Sequence, residues 1–440
     1  MDPKSFRISL IAVFIFTLVI LYSFNATPIN LPTQSSSNVV VTRDSLNPKE
    51  FPNYKIDGMD RFEWYTKKWK EELKNEKPPE VEEVTLLRAY EFDVEYSISI
   101  TTPNKYKAIV YCRYFGKNGT EMLPAFQSYN FPEFVVNCQK RKGTHRLSVS
   151  TQANNSYTYP IELIDRTQKV YDHEFSFCMS NIYGKEPKWL QLSEIIEHYK
   201  LQGMTHFYFY VFHIDEYSNA LLQDYVRTGE ATVTHFLERN DRELLHWQIV
   251  AFRDCTLRTR HVSKWSLFSD IDERLLMTKY PGTILDYLRE VKDDSVAGIQ
   301  FRQQWIMKTE FLPEKYEGDK QVKICIFSKR NFKVFRLMNG LRLFVGTILP
   351  LSDHQDTLSN ALPSMMYPGY HIHELKPEEG LVRHYRDLQM WNWGKTWLKE
   401  IVAMGPMSMT DYPAKYQKNL TDAVKTRTKY VYENYHPREE

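Results

Sequence analysis

Residues 206–236 read HFYFYVFHIDEYSNALLQDYVRTGEATVTHF, and this stretch decides the fold class. Its first part, His206–Phe212, is an uninterrupted apolar and aromatic run, which is typical of a buried strand. Apolar side chains then recur at helical spacing, at Tyr217, Leu221, Leu222 and Tyr225. Ala231–Phe236 predicts a second strand. A strand, a helix and a strand in this order indicate parallel strands joined by a helical crossover.

The same alternation continues on both sides of this stretch. Before it, Glu174–Ser180 (EFSFCMS) predicts a strand, and a helix is expected to begin at Pro187 and to end at Gly203. After it, a helix is expected over 242–258 and a strand over Lys264–Ser269 (KWSLFS). The sequence therefore predicts an α/β fold with a mostly parallel sheet that helices cover on both faces.

The residues before this region have a different pattern of apolar and polar residues. A short helix is expected within 60–77, and between 81 and 165 β-branched and aromatic runs alternate with turn residues. The runs YKAIVYCRYF, PEFVVNC, RLSVST and TYPIELI predict strands. We expect a smaller β-rich domain over 81–170, the α/β domain over 171–415 and a C-terminal tail over 416–440.

The N-terminus predicts a membrane anchor. Ile8–Phe24 (ISLIAVFIFTLVILYSF) carries no charge, and with its flanks it supplies the ~20 residues that a membrane-spanning helix needs. Lys4 and Arg7 precede the run, and no basic residue follows before Arg43. The positive-inside rule then predicts a type II signal-anchor with a short cytosolic tail and a lumenal body.

The anchor prediction divides the N-terminal region into a cytosolic tail over 1–7, a transmembrane segment over 8–24 and a stalk over 25–80. A cleaved signal peptide is the alternative interpretation. Against it, Phe24-Asn25-Ala26 does not place small residues at both cleavage positions. We therefore expect a single-pass membrane protein.

Charge and cysteine content narrow the function further. The 440 residues include 57 basic and 55 acidic side chains, a net charge of +2, which argues against a nucleic-acid partner. Glycosylation sequons occur at Asn25, Asn118, Asn154 and Asn419. In a lumenal compartment the five cysteines would form up to two disulfides, in a pairing that the sequence leaves open.

The chemistry is predicted at the end of the KWSLFS strand, in Ser269-Asp270-Ile271-Asp272. Extended backbone would point Asp270 and Asp272 to the same side. Two carboxylates at the carboxyl end of a parallel strand suit Mg²⁺ or Mn²⁺, which would in turn bind the diphosphate of a nucleotide. Asp270 is expected to contact that donor as well. The alternative is an acidic turn that caps the next helix.

Three blocks of sequence resemble glycosyltransferase family 92: CMSNIYGKEPKWLQL at 178–192, WQIVAFRDCTLRTRHVSKWSLFSDIDERL at 247–275 and LVRHYRD at 381–387. The resemblance implies a GT-A-like fold, a UDP-sugar donor and Mn²⁺, and for an anchored chain it implies a place in the Golgi. It also implies inverting transfer of galactose from UDP-galactose to a glycan acceptor, such as the core fucose of an N-glycan. Carried over, the metal motif falls on Asp270 and Asp272.

The resemblance also suggests a histidine as a further metal ligand, because enzymes of this fold commonly recruit one near the C-terminus. His384 in LVRHYRD is the candidate, and His371 and His373 are its rivals. Arg383 and Arg386 flank His384, where they would contact the diphosphate or form surface ion pairs.

Uridine is expected over the end of the first strand of the α/β domain. The candidates there are Met179, Ser180, Asn181 and Tyr183. An inverting transfer also needs a carboxylate base that takes the proton of the acceptor hydroxyl. Glu310, Asp353 and Asp356 are the candidates, and the sequence does not choose among them.

Two other classes of function compete with a transferase. A non-catalytic glycan-binding or scaffolding protein could keep the fold, but it would have little need of the Asp270-Ile271-Asp272 motif. A glycoside hydrolase would need two carboxylates facing each other across a cleft at ~5–9 Å, which two acids on one strand match poorly.

Overall fold

The computed structural model describes residues 59, 61–103, 106–168, 170–236, 244–308, 312–322, 333–335, 344–350, 355–359, 362–366, 369–387, 407–409 and 412–434. The predicted cytosolic tail, the signal-anchor and the stalk up to residue 58 lie outside these residues. Within the part of the chain that is described, no helix is long and apolar enough to cross a membrane.

The N-terminal part begins with helix α1 and continues as a seven-stranded sheet. The elements are α1 (Arg61–Leu73), β1 (Thr85–Glu91), β2 (Glu95–Thr101), β3 (Ile109–Phe115), β4 (Glu121–Tyr129), β5 (Val135–Gln139), β6 (Arg146–Ser150) and β7 (Ile161–Asp165). Their order in the sheet is β4-β3-β6-β7-β1-β2-β5. β1 and β7 are parallel, and the other neighbours are antiparallel. A disulfide joins Cys112 of β3 to Cys138 of β5 inside the apolar core of this sheet.

Beyond residue 172, the described part of the chain forms a larger mixed sheet, a separate two-stranded sheet and helices. Its first half contains β8 (His173–Ile182), α2 (Trp189–Leu201), β9 (His206–Val211), α3 (Glu216–Arg227), β10 (Ala231–His235), α4 (Leu244–Thr259), β11 (Ser263–Ser269), β12 (Glu273–Met277) and α5 (Ile284–Glu290). Its second half contains β13 (Val296–Lys308), β14 (Lys333–Phe335), β15 (Phe344–Pro350), β16 (Gln355–Ser359), β17 (Leu362–Met366), β18 (His371–Glu374), β19 (Gly380–Asp387), β20 (Met407–Met409), α6 (Ala414–Lys429) and a π-helical segment (Tyr430–Asn434).

The predicted alternation from β8 to β11 is confirmed, because each predicted strand and helix is present at its expected place. β10, β9, β8 and β11 are neighbours in that order and all run parallel. Helices cover both faces of these strands. On β8, Phe177 stacks on Tyr199 of α2, whereas the next residue, Cys178, forms a disulfide with Cys255 of α4. Successive side chains of a strand point to opposite faces, so α2 and α4 lie on opposite sides.

The prediction of a mostly parallel sheet is wrong for the second half. β15 pairs antiparallel with β11 and β13, and antiparallel pairs also join β12 to β19, β13 to β14 and β14 to β20. After β11 the chain returns largely through strands instead of helical crossovers. Such long-range pairings leave no periodic signal in the sequence, so a pattern of apolar residues does not reveal them.

Candidate active site

The Asp270–Asp272 motif forms a tight turn between two strands of the large sheet. β11 ends at Ser269 and β12 begins at Glu273, and the backbone N–H of Glu273 donates to the carbonyl of Asp270 at 3.2 Å. The expectation of extended backbone through the motif is therefore wrong, because a turn does not alternate its side chains. The two acids have different neighbours: Gln248 Nε2 donates to Asp270 Oδ1 at 3.1 Å, whereas Asp272 Oδ2 lies 3.2 Å from His384 Nε2.

Strand pairing brings His384 to the motif. β12 pairs antiparallel with β19 in a register that places Glu273 opposite His384. The backbone N–H of Tyr385 donates to the carbonyl of Asp272 at 2.8 Å, which fixes β19 against the turn. One ligand atom each from Asp272, Glu273 and His384 lies within 4.8 Å of the others.

The rival histidines lie elsewhere on the sheet. His371 and His373 of β18 pair with Val296 and Ile299 near the start of β13, whereas His384 pairs with Trp305 further along it. At ~3.3 Å per residue, six to nine residues of strand separate the two places by about 20–30 Å. The structure thus brings His384, and neither rival, to Asp272.

Glu273 is the site residue that sequence reasoning missed. Its side chain is fully buried, and its Oε2 accepts from Ser269 Oγ at 2.8 Å and from the Asp270 backbone N–H at 3.1 Å. Its Oε1 has no hydrogen-bond partner among the described residues. Burial and the neighbouring charge of Asp270 raise the pKa of Glu273 to about 7. The available signal was a third acid directly after Asp270 and Asp272, at the first position of the strand ERLLM.

This cluster fits a divalent cation. Two carboxylates and one imidazole form a donor set that Mn²⁺ accepts, with open positions left for a phosphate and water. A cation would also contribute the positive charge that the buried, incompletely hydrogen-bonded Glu273 carboxylate lacks. Asp270, predicted as a ligand, is not part of this group of three.

Helix α2 supports β12 from behind the cluster. The Tyr199 hydroxyl donates to the carbonyl of Glu273 at 3.1 Å and accepts from the backbone N–H of Leu275 at 3.2 Å. His198 donates from Nε2 to the carbonyl of Leu275 at 2.9 Å, and its Nδ1 accepts from the Tyr412 hydroxyl at 2.5 Å. Burial lowers the pKa of His198 to about 3, so the ring is neutral and keeps this arrangement of donor and acceptor.

The predicted uridine residues lie on the strand beside the motif. Met179 of β8 pairs with Ser269 of β11, so both strands reach the same edge of the sheet. Ser180 and Asn181 are buried there, and Tyr183 is 39% exposed just beyond the strand. The side-chain Nδ2 of Asn181 has no hydrogen-bond partner within the described residues. A carbonyl group of a ligand at this edge of the sheet would supply a hydrogen-bond acceptor for Nδ2.

The structure describes only some of the residues that are predicted to contact the diphosphate or to act as the catalytic base. Arg383 is 5% exposed, so its side chain does not lie on the surface, and its Nε donates to the Tyr385 hydroxyl at 3.0 Å. Arg386 belongs to β19. Glu310 and Asp353 lie outside the described residues, and Asp356 belongs to β16, which pairs with β17 in a separate two-stranded sheet. The roles proposed for these residues stay predictions.

Comparison with protein families gives a match to the model of glycosyltransferase family 92 over residues 173–420. That segment contains β8, the motif, Glu273 and His384. It begins where the large sheet begins and leaves the seven-stranded sheet outside.

Among characterised proteins, the chain is similar to the beta-1,4-galactosyltransferase galt-1 of Caenorhabditis elegans. The two are 23% identical over 212 residues, which cover 43% of this chain and 49% of that protein. It is also similar to the galactan beta-1,4-galactosyltransferase GALS3 of Arabidopsis thaliana, 28% identical over 139 residues, 30% of this chain and 26% of that protein. The chain thus spans about half or less of the length of these relatives.

Among solved structures, a mannosyltransferase from Pyrobaculum calidifontis in complex with GDP-Man and Mn²⁺ aligns with 60% of this chain and 75% of its own, at 9% identity and a TM-score of 0.29. Residues 1–349 of TarS from S. aureus align with 59% of this chain and 72% of their own, at 10% identity and a TM-score of 0.28. Scores this low carry no argument about the site.

Proposed function

Because this chain belongs to glycosyltransferase family 92, we propose that it is a metal-assisted glycosyltransferase that uses a UDP-sugar. The proposed donor is UDP-galactose, and the proposed acceptor is a glycan hydroxyl, such as that of core fucose on an N-glycan, with inversion at the transferred sugar. The observation that carries the proposal is the cluster of Asp272, Glu273 and His384 inside the family segment, at the carboxyl end of a parallel strand.

Asp272, Glu273 and His384 would hold the cation, and Asp270 would lie beside the donor. The chemistry that a divalent cation supplies here is neutralisation of the charge that develops on the departing diphosphate. The amide Nδ2 of Asn181, which has no hydrogen-bond partner within the described residues, would donate to a carbonyl of the uracil ring. The acceptor hydroxyl needs a carboxylate to take its proton, and Glu310, Asp353 and Asp356 remain the candidates for that role.

We also propose that the protein is a type II membrane protein with a lumenal body, in the Golgi. Two features of the described residues support an oxidising, glycosylating compartment. Disulfides join Cys112 to Cys138 and Cys178 to Cys255. The sequon asparagines Asn118, Asn154 and Asn419 are exposed.

The activity is tested by incubating the full-length chain with glycan acceptors, Mn²⁺ and a panel of UDP-sugars, and measuring released UDP. We expect release that is highest with UDP-galactose and is abolished by a chelator. Full activity in excess chelator contradicts the metal mechanism. No release with any donor favours the non-catalytic glycan-binding alternative.

The matched variants are Asp272→Asn and Asp422→Asn. Asp272→Asn keeps the shape of the side chain and removes charge at the cation, so turnover should fall by roughly 100-fold or more, as when a group that stabilises a transition state is lost. Asp422 is exposed on α6 and lies 3.0 Å from Lys418 Nζ, far in sequence from the motif. Its variant should retain parental turnover.

A further inference from the structure

A buried glutamine contacts the imidazole of the candidate site. Gln303 of β13 and His384 of β19 lie on neighbouring parallel strands, and they are 5% and 2% exposed. The amide Nε2 of Gln303 donates to His384 Nδ1. An imidazole nitrogen that accepts carries no hydrogen, so in this state Nε2 carries it and donates to Asp272 Oδ2 at 3.2 Å.

This state of the ring is unsuited to bind a cation. A cation beside Asp272 would need the lone pair of Nε2, which is absent while Nε2 donates to Asp272, and the lone pair of Nδ1 accepts from Gln303. For His384 to become a ligand through Nε2, its hydrogen must reside on Nδ1. The partner of Nδ1 must then be an acceptor instead of a donor.

Gln303 can supply that acceptor with a half-turn of its amide group. The turn exchanges Oε1 and Nε2 while leaving the heavy-atom positions of the amide in place. Gln303 Oε1 is buried and has no hydrogen-bond partner among the described residues, so the exchange sacrifices no other hydrogen bond there. Glu273 Oε1 lies 3.6 Å from Nδ1, beyond hydrogen-bond distance.

We propose that Gln303 is a positioning residue that holds His384 in either of two tautomers. The Nε2–H form is held in the absence of a cation, and the Nδ1–H form, with Oε1 accepting, presents Nε2 to a cation beside Asp272. The inference rests on the proposed function, which supplies the cation. An amide serves both states because it both donates and accepts, whereas a carboxylate serves only the Nδ1–H form and a thioether serves neither.

The binding test titrates Mn²⁺ into the full-length chain, with the free ion measured by electron paramagnetic resonance. Gln303→Met should weaken Mn²⁺ binding by roughly 10–100-fold, as loss of a partner of a metal-bound histidine typically does. Gln303→Glu should restore affinity to within a few-fold of the parent. Gln300→Met is the matched control. Gln300 is a buried glutamine on the same strand, and its cross-strand partners are Thr347 and Glu374 instead of a site residue. The Mn²⁺ affinity of Gln300→Met should equal that of the parent.

A second readout is the tautomer itself, from nitrogen NMR of chain labelled with ¹⁵N-histidine, with diamagnetic Zn²⁺ as the ion. His384 should be Nε2–H without metal and Nδ1–H with it, and in Gln303→Glu it should carry the Nδ1 hydrogen even without metal. One tautomer in both states of the parent overturns the inference, as does equal Mn²⁺ affinity of parent and Gln303→Met. If the parent itself binds no Mn²⁺, the cation of the proposed function fails and the inference falls with it.

Discussion

Two buried carboxylates, Asp254 and Glu273, have the same exposure and opposite surroundings. Asp254 of α4 accepts from Arg88 Nη1 at 2.6 Å, Tyr90 Oη at 2.9 Å, Ser99 Oγ at 2.6 Å and Tyr210 Oη at 2.7 Å. Among the described residues, Glu273 accepts two hydrogen bonds, both on Oε2, and the charges of Asp270 and Asp272 lie close to it. Both side chains are shielded from water.

The difference separates a structural acid from a candidate ligand. Arg88, Tyr90 and Ser99 come from the seven-stranded sheet, so Asp254 joins that sheet to α4 with a complete set of donors. Within the described part of the chain, Glu273 has donors on Oε2 alone, and Asp270 and Asp272 beside it carry charge of its own sign, which a folded chain tolerates only with a cost in free energy. Burial alone therefore does not identify a functional acid, whereas the number of donors and the sign of the nearby charge do.

The largest effect on stability is expected from Asp254→Ala. It leaves the guanidinium of Arg88 and the buried hydroxyls of Tyr90 and Tyr210 without their shared acceptor, so unfolding free energy should fall by about 3–5 kcal/mol. Urea unfolding measures the change. The exposed control, Asp422→Ala, should change the unfolding free energy by no more than about 0.5 kcal/mol. If Asp254→Ala lowers the unfolding free energy by no more than the control does, Asp254 is not the structural acid that the comparison requires.

A smaller effect of opposite sign is expected from Glu273→Gln. The amide removes a buried charge from beside Asp270 and Asp272, so the metal-free chain should gain about 1–3 kcal/mol of stability at neutral pH. Glu95→Gln is the matched control, because Glu95 is buried beside Arg260 at 3.2 Å and its loss should destabilise. Equal destabilisation of both variants in thermal unfolding would show that Glu273 is an ordinary structural acid.

The smallest effect concerns a buried group that is held neutral. The pKa of His198 is about 3 in the folded chain, against about 6.5 when unfolded. Between these values the unfolded chain binds more protons, so the contribution to stability is intact above pH 6.5 and declines as the pH falls, by about 1.4 kcal/mol per pH unit. His198→Gln should lessen the loss between pH 7 and 5.5 by about 1 kcal/mol. Parallel stability curves for parent and variant would refute this.

The sequence predicted the parts of the fold that local periodicity records. From β8 to β11, apolar runs and helical stripes mark each element, because a buried strand and the buried face of a helix each leave a local apolar pattern in the sequence. The pairing of β15 with β11 and of β19 with β12 joins residues about 80 to 110 positions apart. No local pattern encodes such register, so the mixed character of the sheet was not predictable from apolar spacing.

The candidate site was predictable to a similar extent. Asp272 follows from an acidic motif at a strand end, and His384 follows from the resemblance of its sequence block to the family. Glu273 was missed because its importance depends on burial and on the donors that it lacks, which are properties of the folded chain. The turn conformation of the motif likewise depends on β12 beginning immediately after Asp272.

The most direct measurement is an Mn²⁺ titration of the metal-free full-length chain at neutral pH, followed by electron paramagnetic resonance. The account predicts one saturable site whose affinity is strongly reduced in Asp272→Asn, reduced by roughly 10–100-fold in His384→Ala, and unchanged in Asp422→Asn. The absence of saturable binding, or equal affinity in the parent and both site variants, would contradict the assignment of Asp272, Glu273 and His384 as a metal site.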